Sequence, residues 1–339
     1  MPELPELDVL TENLRVQLTG ARVRSVRVVS VAALKTFDPP LDALAGRTIV
    51  GAGRRAKYVW IEVGGSGGLA SEAGATAPRP EAGPSVAPPW DPGSGGLANE
   101  AGATAPGPPS RAERSPPVDS GGLDLVMHLS LGGRLTLGAK PASRKVAVLA
   151  VELEDGRVLS MTEVSTQRRA AVWLVEKLDQ VPGLAALGPE PLDPDFTVER
   201  LGEILAGGGH TLKGMLTDQR GMSGVGNAWS DEVLHRARLS PFARPERLGE
   251  QEVARLHGAL LEVLTEARGS LAEQVGGRIE IPKASERLFA VHGRAGAACF
   301  VCGDTIRSVW MGERETSYCP TCQTGGRVLA DRRRSKFLR

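Results

Sequence analysis

At 339 residues, 41% of them hydrophobic, the chain can bury a sizeable core and is long enough for two or more domains. Lys and Arg number 41 against 40 Asp and Glu; the net charge of +1 excludes a uniformly polybasic or polyacidic protein, so what matters is where the charges sit. No uncharged apolar run approaches the length of a membrane span, and an N-terminus carrying Glu3, Glu6, Asp8 and Glu12 is not a signal peptide, so a cytoplasmic protein is expected.

The chain opens Met1-Pro2-Glu3-Leu4-Pro5-Glu6. Removal of Met1 ahead of a small residue would leave a secondary amine with Glu3 beside it. An α-amino group titrates near 7.7–8.0 against about 10.4 for lysine, which gives roughly a several-hundredfold larger free-base fraction at neutral pH. Such an amine can attack an aldehyde carbon and form an iminium. The same residues equally suit a first helical turn, where Pro forfeits nothing and Glu complements the dipole, and both readings stand at this point. Leu4, Leu7, Leu10, Leu14 and Leu18 follow at helical spacing and predict an amphipathic helix over 4–18. From 23 to 63 the pattern turns to β, ending in Tyr58-Val59-Trp60-Ile61-Glu62-Val63. The run Arg54-Arg55-Ala56-Lys57 lies where this last strand begins, and surface solubility alone would account for it.

Residues 64–122 are different material. The stretch 66–78 recurs at 94–106 with one change, Ser71 against Asn99, and Pro, Gly, Ala and Ser dominate throughout. Too few large apolar residues are present to offset the entropy of ordering, so a disordered insert between two strands is expected, without chemistry of its own. Strands resume at 123–128 and recur at 134–137, 146–152, 157–162 and 170–175, giving about eight in all with the earlier ones, consistent with a sandwich carrying one N-terminal helix. Four prolines between 181 and 194 mark a linker, beyond which helical patterns run over 197–205, 212–219, 228–238 and 250–273. Gly221-Met222-Ser223-Gly224-Val225-Gly226-Asn227 is a glycine-rich turn ahead of a helix. It reads either as a plain helix–helix turn or as a place where backbone N–H groups meet a phosphate.

Cys299-x2-Cys302 and Cys319-x2-Cys322 use every cysteine in the chain. Paired CxxC motifs at this separation predict a four-thiolate zinc ribbon, closed and therefore structural. Residues 276–339 carry twelve Lys and Arg against six Asp and Glu, a net +6 that suits a phosphate backbone.

Taken together, Pro2-Glu3-Leu4-Pro5-Glu6, Arg54-Arg55-Ala56-Lys57-Tyr58, Met127-His128-Leu129-Ser130-Leu131-Gly132-Gly133-Arg134, the run 213–220 leading into Gly224-Val225-Gly226-Asn227-Ala228, and the zinc ribbon with Arg314 resemble the formamidopyrimidine-DNA glycosylase and endonuclease VIII family, nearer its glycosylase branch. The resemblance covers nearly the whole chain outside the insert. It implies an α+β fold: a helix plus β-sandwich domain (1–192), a helix-two-turns-helix domain (193–292), and a zinc finger with a basic tail (293–339). It also implies a monomeric, nucleoid-associated base-excision-repair enzyme on damaged or abasic double-stranded DNA, with one structural zinc held by Cys299, Cys302, Cys319 and Cys322. Pro2 would attack C1′ of an everted nucleotide, Glu3 would serve as acid/base, and β,δ-elimination would nick the strand, with Lys57 in the catalytic group. Lys57, His128, Asn227 and Arg314 match phosphate contacts, while Glu6 and Lys213 match positions near the everted nucleotide. Leu131 stands where the family inserts a Met, and Arg168 where it pairs the orphaned base. The aromatic wedge is replaced by Ala170, and 276–287 does not resemble the loop that caps 8-oxoguanine. These two departures motivate an alternative, a non-catalytic reader of damaged or abasic DNA that keeps the fold.

Overall fold

The computed structural model describes residues 2–65, 121–130, 132–165, 168–282, 286–287, 289–311 and 314–330. The repeats of the insert, Leu131 and most of the basic tail lie outside these residues.

Helix α1 (Leu4–Leu18) begins at a capping box in which the Glu3 backbone N–H donates to Glu6 Oε2 at 2.8 Å, with Pro5 in the first turn where no N–H is needed. Its leucines at 4, 7, 10, 14 and 18 are at most 1% exposed, each contributing about 1.5–3 kcal/mol of burial. Leu7, Leu10, Leu14 and Leu18 share one core with residues of strands β1 (Val23–Val28), β2 (Ile49–Arg55), β3 (Tyr58–Val63), β4 (Leu123–His128), β5 (Gly133–Gly138), β6 (Ala147–Leu153), β7 (Val158–Glu163) and β8 (Ala171–Val175). The strands form two antiparallel four-stranded sheets, ordered β1-β6-β7-β5 and β2-β3-β4-β8. β3 and β4 are direct neighbours, with Val63 opposite Leu123, so the insert leaves and rejoins the sheet at one hairpin end.

The proline-rich linker is not a bare connector. Val181 and Leu184 cover Trp60, Val126 and Val175 on the outer face of the second sheet. Farther along, Glu190 accepts both 2.8 and 2.7 Å hydrogen bonds from Arg54 and one from the Ala56 backbone, while Arg54 also pairs with Asp8 of α1. The side chain of Arg54 is only 11% exposed, so that residue is a buried tie between sheet, helix and linker and not a solubility charge.

Four helices surround a second core: α2 (Val198–Ala206), α3 (Leu212–Thr217), α4 (Asn227–Arg236) and α5 (Glu250–Val275). Thr197 and Thr211 cap α2 and α3, accepting from Arg200 N and Gly214 N at 3.2 Å each. α5 ends at Gly276 in the left-handed region. The chain then straps back across α1, where Asn13 Nδ2 donates to Arg278 O at 2.7 Å, and Ile279 and Ile281 enter the sandwich core. A last hairpin, β9 (Arg307–Met311) and β10 (Arg314–Tyr318), leads into the short helix α6 (Pro320–Thr324). Among the described residues no helix is long and apolar enough to cross a membrane.

Candidate active site

The start of the chain is buried against the glycine-rich turn before α4. Leu4 N donates to Gly224 O at 3.0 Å, and Gly224 has a φ of +91° with Leu4 Cδ1 only 2.7 Å from where a Cβ would stand. Any other residue at 224 would be strained and would push the first helix away. Glu3 then reaches across: Oε2 accepts from Gly226 N (2.8 Å) and Trp229 N (3.2 Å), and Oε1 from Ala228 N (3.1 Å). A carboxylate thus satisfies the orphan N–H groups at the N-terminus of α4, where the helix dipole favours negative charge. Pro2, immediately before it, is buried.

Glu6 is the next carboxylate along. It accepts from Trp229 Nε1 at 3.1 and 3.2 Å and from Arg287 at 2.9 Å, and burial pushes its carboxyl up while Arg287 pulls the other way. Lys57 comes to the same place on the β2–β3 turn, where Ala56 takes a φ of +50° and its N–H is held by Glu190. Burial holds the Lys57 ammonium below the usual lysine range; Arg314 adds to this, while Glu3 and Glu6 oppose it. His128 lies opposite Tyr58 across the β3–β4 pair, with ring centroids 4.8 Å apart. Burial and the neighbouring Lys57 push its pKa down to about 4, so the imidazole is neutral at physiological pH. Lys57, Tyr58 and His128 share with Gln219 and Arg220 a cleft of about 450 Å³.

Lys213 and Asn227 are tied to the C-terminal hairpin. Lys213 Nζ meets Asp231 Oδ1 at 2.5 Å and also reaches Asn227 O and Glu315 O, at 3.3 and 3.5 Å. Asn227 Nδ2 donates to Glu315 O at 3.0 Å. Asp231 closes the network by accepting from Ser317 N (3.1 Å) and facing His292 Nδ1 (2.8 Å). Lys213 is therefore a buried ion-pair partner in this arrangement. Arg314 is exposed at the hairpin turn and reaches Thr217 Oγ1 at 3.3 Å.

Arg168 stands apart from this centre, exposed, donating to Lys145 O at 3.1 Å. Buried Glu163 organises its loop by accepting from Arg169 N and Ala170 N, which turns Ala170 into the sandwich core. Leu131 lies outside the described residues.

The four cysteines converge. Cys302 and Cys319 Sγ atoms are 3.4 Å apart and those of Cys299 and Cys322 3.9 Å, close to the sulfur–sulfur spacing that a tetrahedral ion with bonds of about 2.3 Å imposes. Burial pushes the Cys319 thiol up to about 12 and raises Cys322 too, so bunched thiolates here need a cation beside them. His235 is an addition: its Nε2 lies 3.4 Å from Cys299 Sγ, and with Cys299, Cys319 and Cys322 it forms a donor set within 4.8 Å. The donors fit a structural metal.

Residue order does not single out Trp229, Glu190, His235 or Arg287, and it gives Asp231 only within Asp231-Glu232-Val233-Leu234, a further run that resembles the family. Asp231, Glu232 and His235 share one predicted helix, but Glu232 and His235 find their partners 58 to 64 residues away, and Asp231 joins His292, 61 residues away, to the nearer Lys213.

Residues 1–76 match the family model for the formamidopyrimidine-DNA glycosylase N-terminal domain and 187–274 that for the formamidopyrimidine-DNA glycosylase H2TH domain. The formamidopyrimidine-DNA glycosylase of Roseiflexus sp. (strain RS-1) is 30% identical over 334 residues, covering 95% of this chain and 100% of that protein. An uncharacterized formamidopyrimidine-DNA glycosylase-like protein of Mycobacterium tuberculosis (strain ATCC 25618 / H37Rv) is 43% identical over 159 residues, which is 47% of this chain and 98% of that one. Among solved structures, the MutM (Fpg) protein from Thermus thermophilus superposes with a TM-score of 0.68 at 28% identity, over 95% of this chain and 98% of that one. Lactococcus lactis Fpg, in complex with DNA containing an abasic site, shares the fold with a TM-score of 0.70 at 23% identity, over 95% and 99% of the two chains.

Proposed function

The chain belongs to the formamidopyrimidine-DNA glycosylase family, and from that premise we propose that it is a bifunctional glycosylase and abasic-site lyase whose nucleophile is the amine of Pro2. The observation that carries this reading is the convergence on the chain start: Glu3 joined to the N-terminus of α4, with Lys57 within electrostatic reach of Glu3 and Glu6, and Arg314 within reach of Lys57. Once Met1 is removed, the Pro2 nitrogen attacks C1′. The new N–C bond forms as the glycosidic C–N bond breaks, and the base leaves with a proton. Glu3 handles the proton at the opening ring oxygen, and the iminium acidifies C2′, so that β-elimination expels the 3′ phosphate and δ-elimination the 5′ phosphate.

Lys57, His128, Asn227 and Arg314 contact the phosphates around the everted nucleotide, contacts that set register without reading sequence. Neutral His128 does so as a hydrogen-bond donor, Lys57 and Arg314 as charges. Leu131 and Arg168 occupy the gap in the stack, and Lys213 holds Asn227 and the hairpin in place. Zinc on the ribbon cysteines supplies the cross-link that orders the hairpin. The partner is double-stranded DNA carrying a damaged base or abasic site, bound by a monomer with units 1–192, 193–292 and 293–339.

Borohydride trapping on a duplex with one abasic site tests the reading, because reduction converts an iminium to a stable amine. A covalent band lost in Pro2→Gly is the expected outcome. Tight binding without any band would instead favour the damaged-DNA reader, a possibility the inward-turned Ala170 keeps in view.

A further inference from the structure

Glu6 is held by the protein's own donors. Arg287 reaches Oε1 at 2.9 Å, the Glu3 N–H reaches Oε2 at 2.8 Å, and the Trp229 Nε1–H is shared between the two oxygens at 3.1 and 3.2 Å. Its side chain is 0% exposed, so three N–H groups fix a carboxylate that offers about two acceptor sites per oxygen. Arg287 is the reverse. Its side chain is 5% exposed; Nη1 is spent on Glu6 and Nη2 makes only a 3.4 Å contact to Pro282 O. Its Nε–H is buried with no partner among the described residues. Buried donors are hydrogen-bonded in the large majority of cases, and one on a guanidinium is costly to leave unpaired, so this exception points to a ligand.

The position of the donor says which ligand. The Glu3 N–H that binds Glu6 is one residue from Pro2, so Arg287 sits one hydrogen-bonded carboxylate away from the nucleophile. A base attached to the C1′ that Pro2 attacks must occupy that neighbourhood. Arg134 lies near enough that the charges of Arg287 and Glu6 act on it. The wall beside the nucleophile therefore carries an unpaired donor, and it complements a base that presents an acceptor oxygen.

We infer that Arg287 is a specificity-determining residue that donates its Nε–H to a carbonyl oxygen of the everted base, and that Glu6 is a positioning residue that aims the guanidinium and does not itself read the base. This rests on the glycosylase reading above. An arginine is suited to the task because its planar fork can bind Glu6 with one edge and the base with another, which a lysine ammonium cannot reproduce.

The experiment uses the full chain on duplexes carrying single 8-oxoguanine, formamidopyrimidine or dihydrothymine lesions and on one carrying an abasic site. Base excision is compared with abasic-site cleavage under single turnover for wild type, Arg287→Lys, Arg287→Met and Glu6→Gln. Arg287→Lys keeps a cation beside Glu6 and guards against loss of folding in Arg287→Met, which thermal melts check. The ratio of excision to abasic cleavage is expected to fall about 10- to 100-fold in both Arg287 variants, the scale of one hydrogen bond from a charged donor. Glu6→Gln combined with Arg287→Lys should cost no more than either alone, since both act through one contact. An unchanged ratio in folded Arg287→Lys overturns the assignment, as does a wild type that cuts abasic DNA through Pro2 yet excises no lesion. Loss of Pro2-dependent trapping in the wild type would instead remove the glycosylase reading itself.

Discussion

His128 illustrates how burial sets the working form of a side chain. Its pKa, lowered from 6.5 to about 4, means that the folded protein refuses a proton that the unfolded chain accepts. Stability is thus untouched above 6.5 and declines as pH falls through the window toward 4, the sign for a base depressed by folding. In the free protein the ring is therefore neutral between pH 5 and 8. An NMR titration of the His128 ring should show a midpoint near 4, and His128→Gln should flatten the acid limb of the stability curve. A ring titrating near 6.5 would mean that His128 meets the phosphate as a cation.

Two elements decide whether the residues of the proposed catalytic site meet. The first is the turn before α4: a Cβ on Gly226 would fall inside the Glu3 carboxyl group. Gly226→Ala is therefore expected to lift Glu3 off the helix N-terminus and reduce borohydride trapping by at least about tenfold, the loss of one charge-assisted hydrogen bond or more. Metal content, measured alongside, should stay stoichiometric because the ribbon is untouched. The second is the terminal hairpin, whose strands carry Arg314 and the Glu315 and Ser317 backbone groups that engage Asn227, Lys213 and Asp231. Cys319→Ser should release zinc and weaken DNA binding without blocking the N-terminal amine. Full affinity in the metal-free variant would sever the hairpin from DNA contact.

At the scale of the whole molecule, the insert and the strap have opposite standing. Gly65 and Gly121 meet at the end of the β3–β4 pair, where a Cβ on Gly65 would lie 3.9 Å from the Gly121 backbone. Replacing 66–120 by a two-residue turn should leave abasic-site cleavage intact and stabilise the protein by roughly 3 kcal/mol, since closure entropy grows by about 0.6 kcal/mol per doubling of loop length. A calorimetric melt and the trapping assay together check this; a large loss of activity would give the repeats a function. The strap after α5 is different, because Ile279 and Ile281 are part of the sandwich core and its removal would open a cavity there.

Much of this was legible along the chain because it is local. Helical spacing of the leucines in 4–18, the β patterns of 58–63 and 123–128 and the paired CxxC motifs each depend on near neighbours, and those elements stand where the local pattern puts them. Family motifs marked Pro2, Glu3, Lys57 and Asn227 by residue order alone. The partners of those residues were not legible. Arg54 looked like a surface charge because Asp8 and Glu190, which bury it, are 46 and 136 residues away. Glu6 stood only as a match to a family position near the everted nucleotide, and Arg287 only as one of the charges in 276–339, whereas folding brings the two side chains to within 2.9 Å of each other. The sequence by itself determined most of the elements, the cysteine pairs and the family. Only the tertiary structure decided which buried charges satisfy one another and which donor is left over, because desolvation and pairing arise from contacts that chain order does not encode.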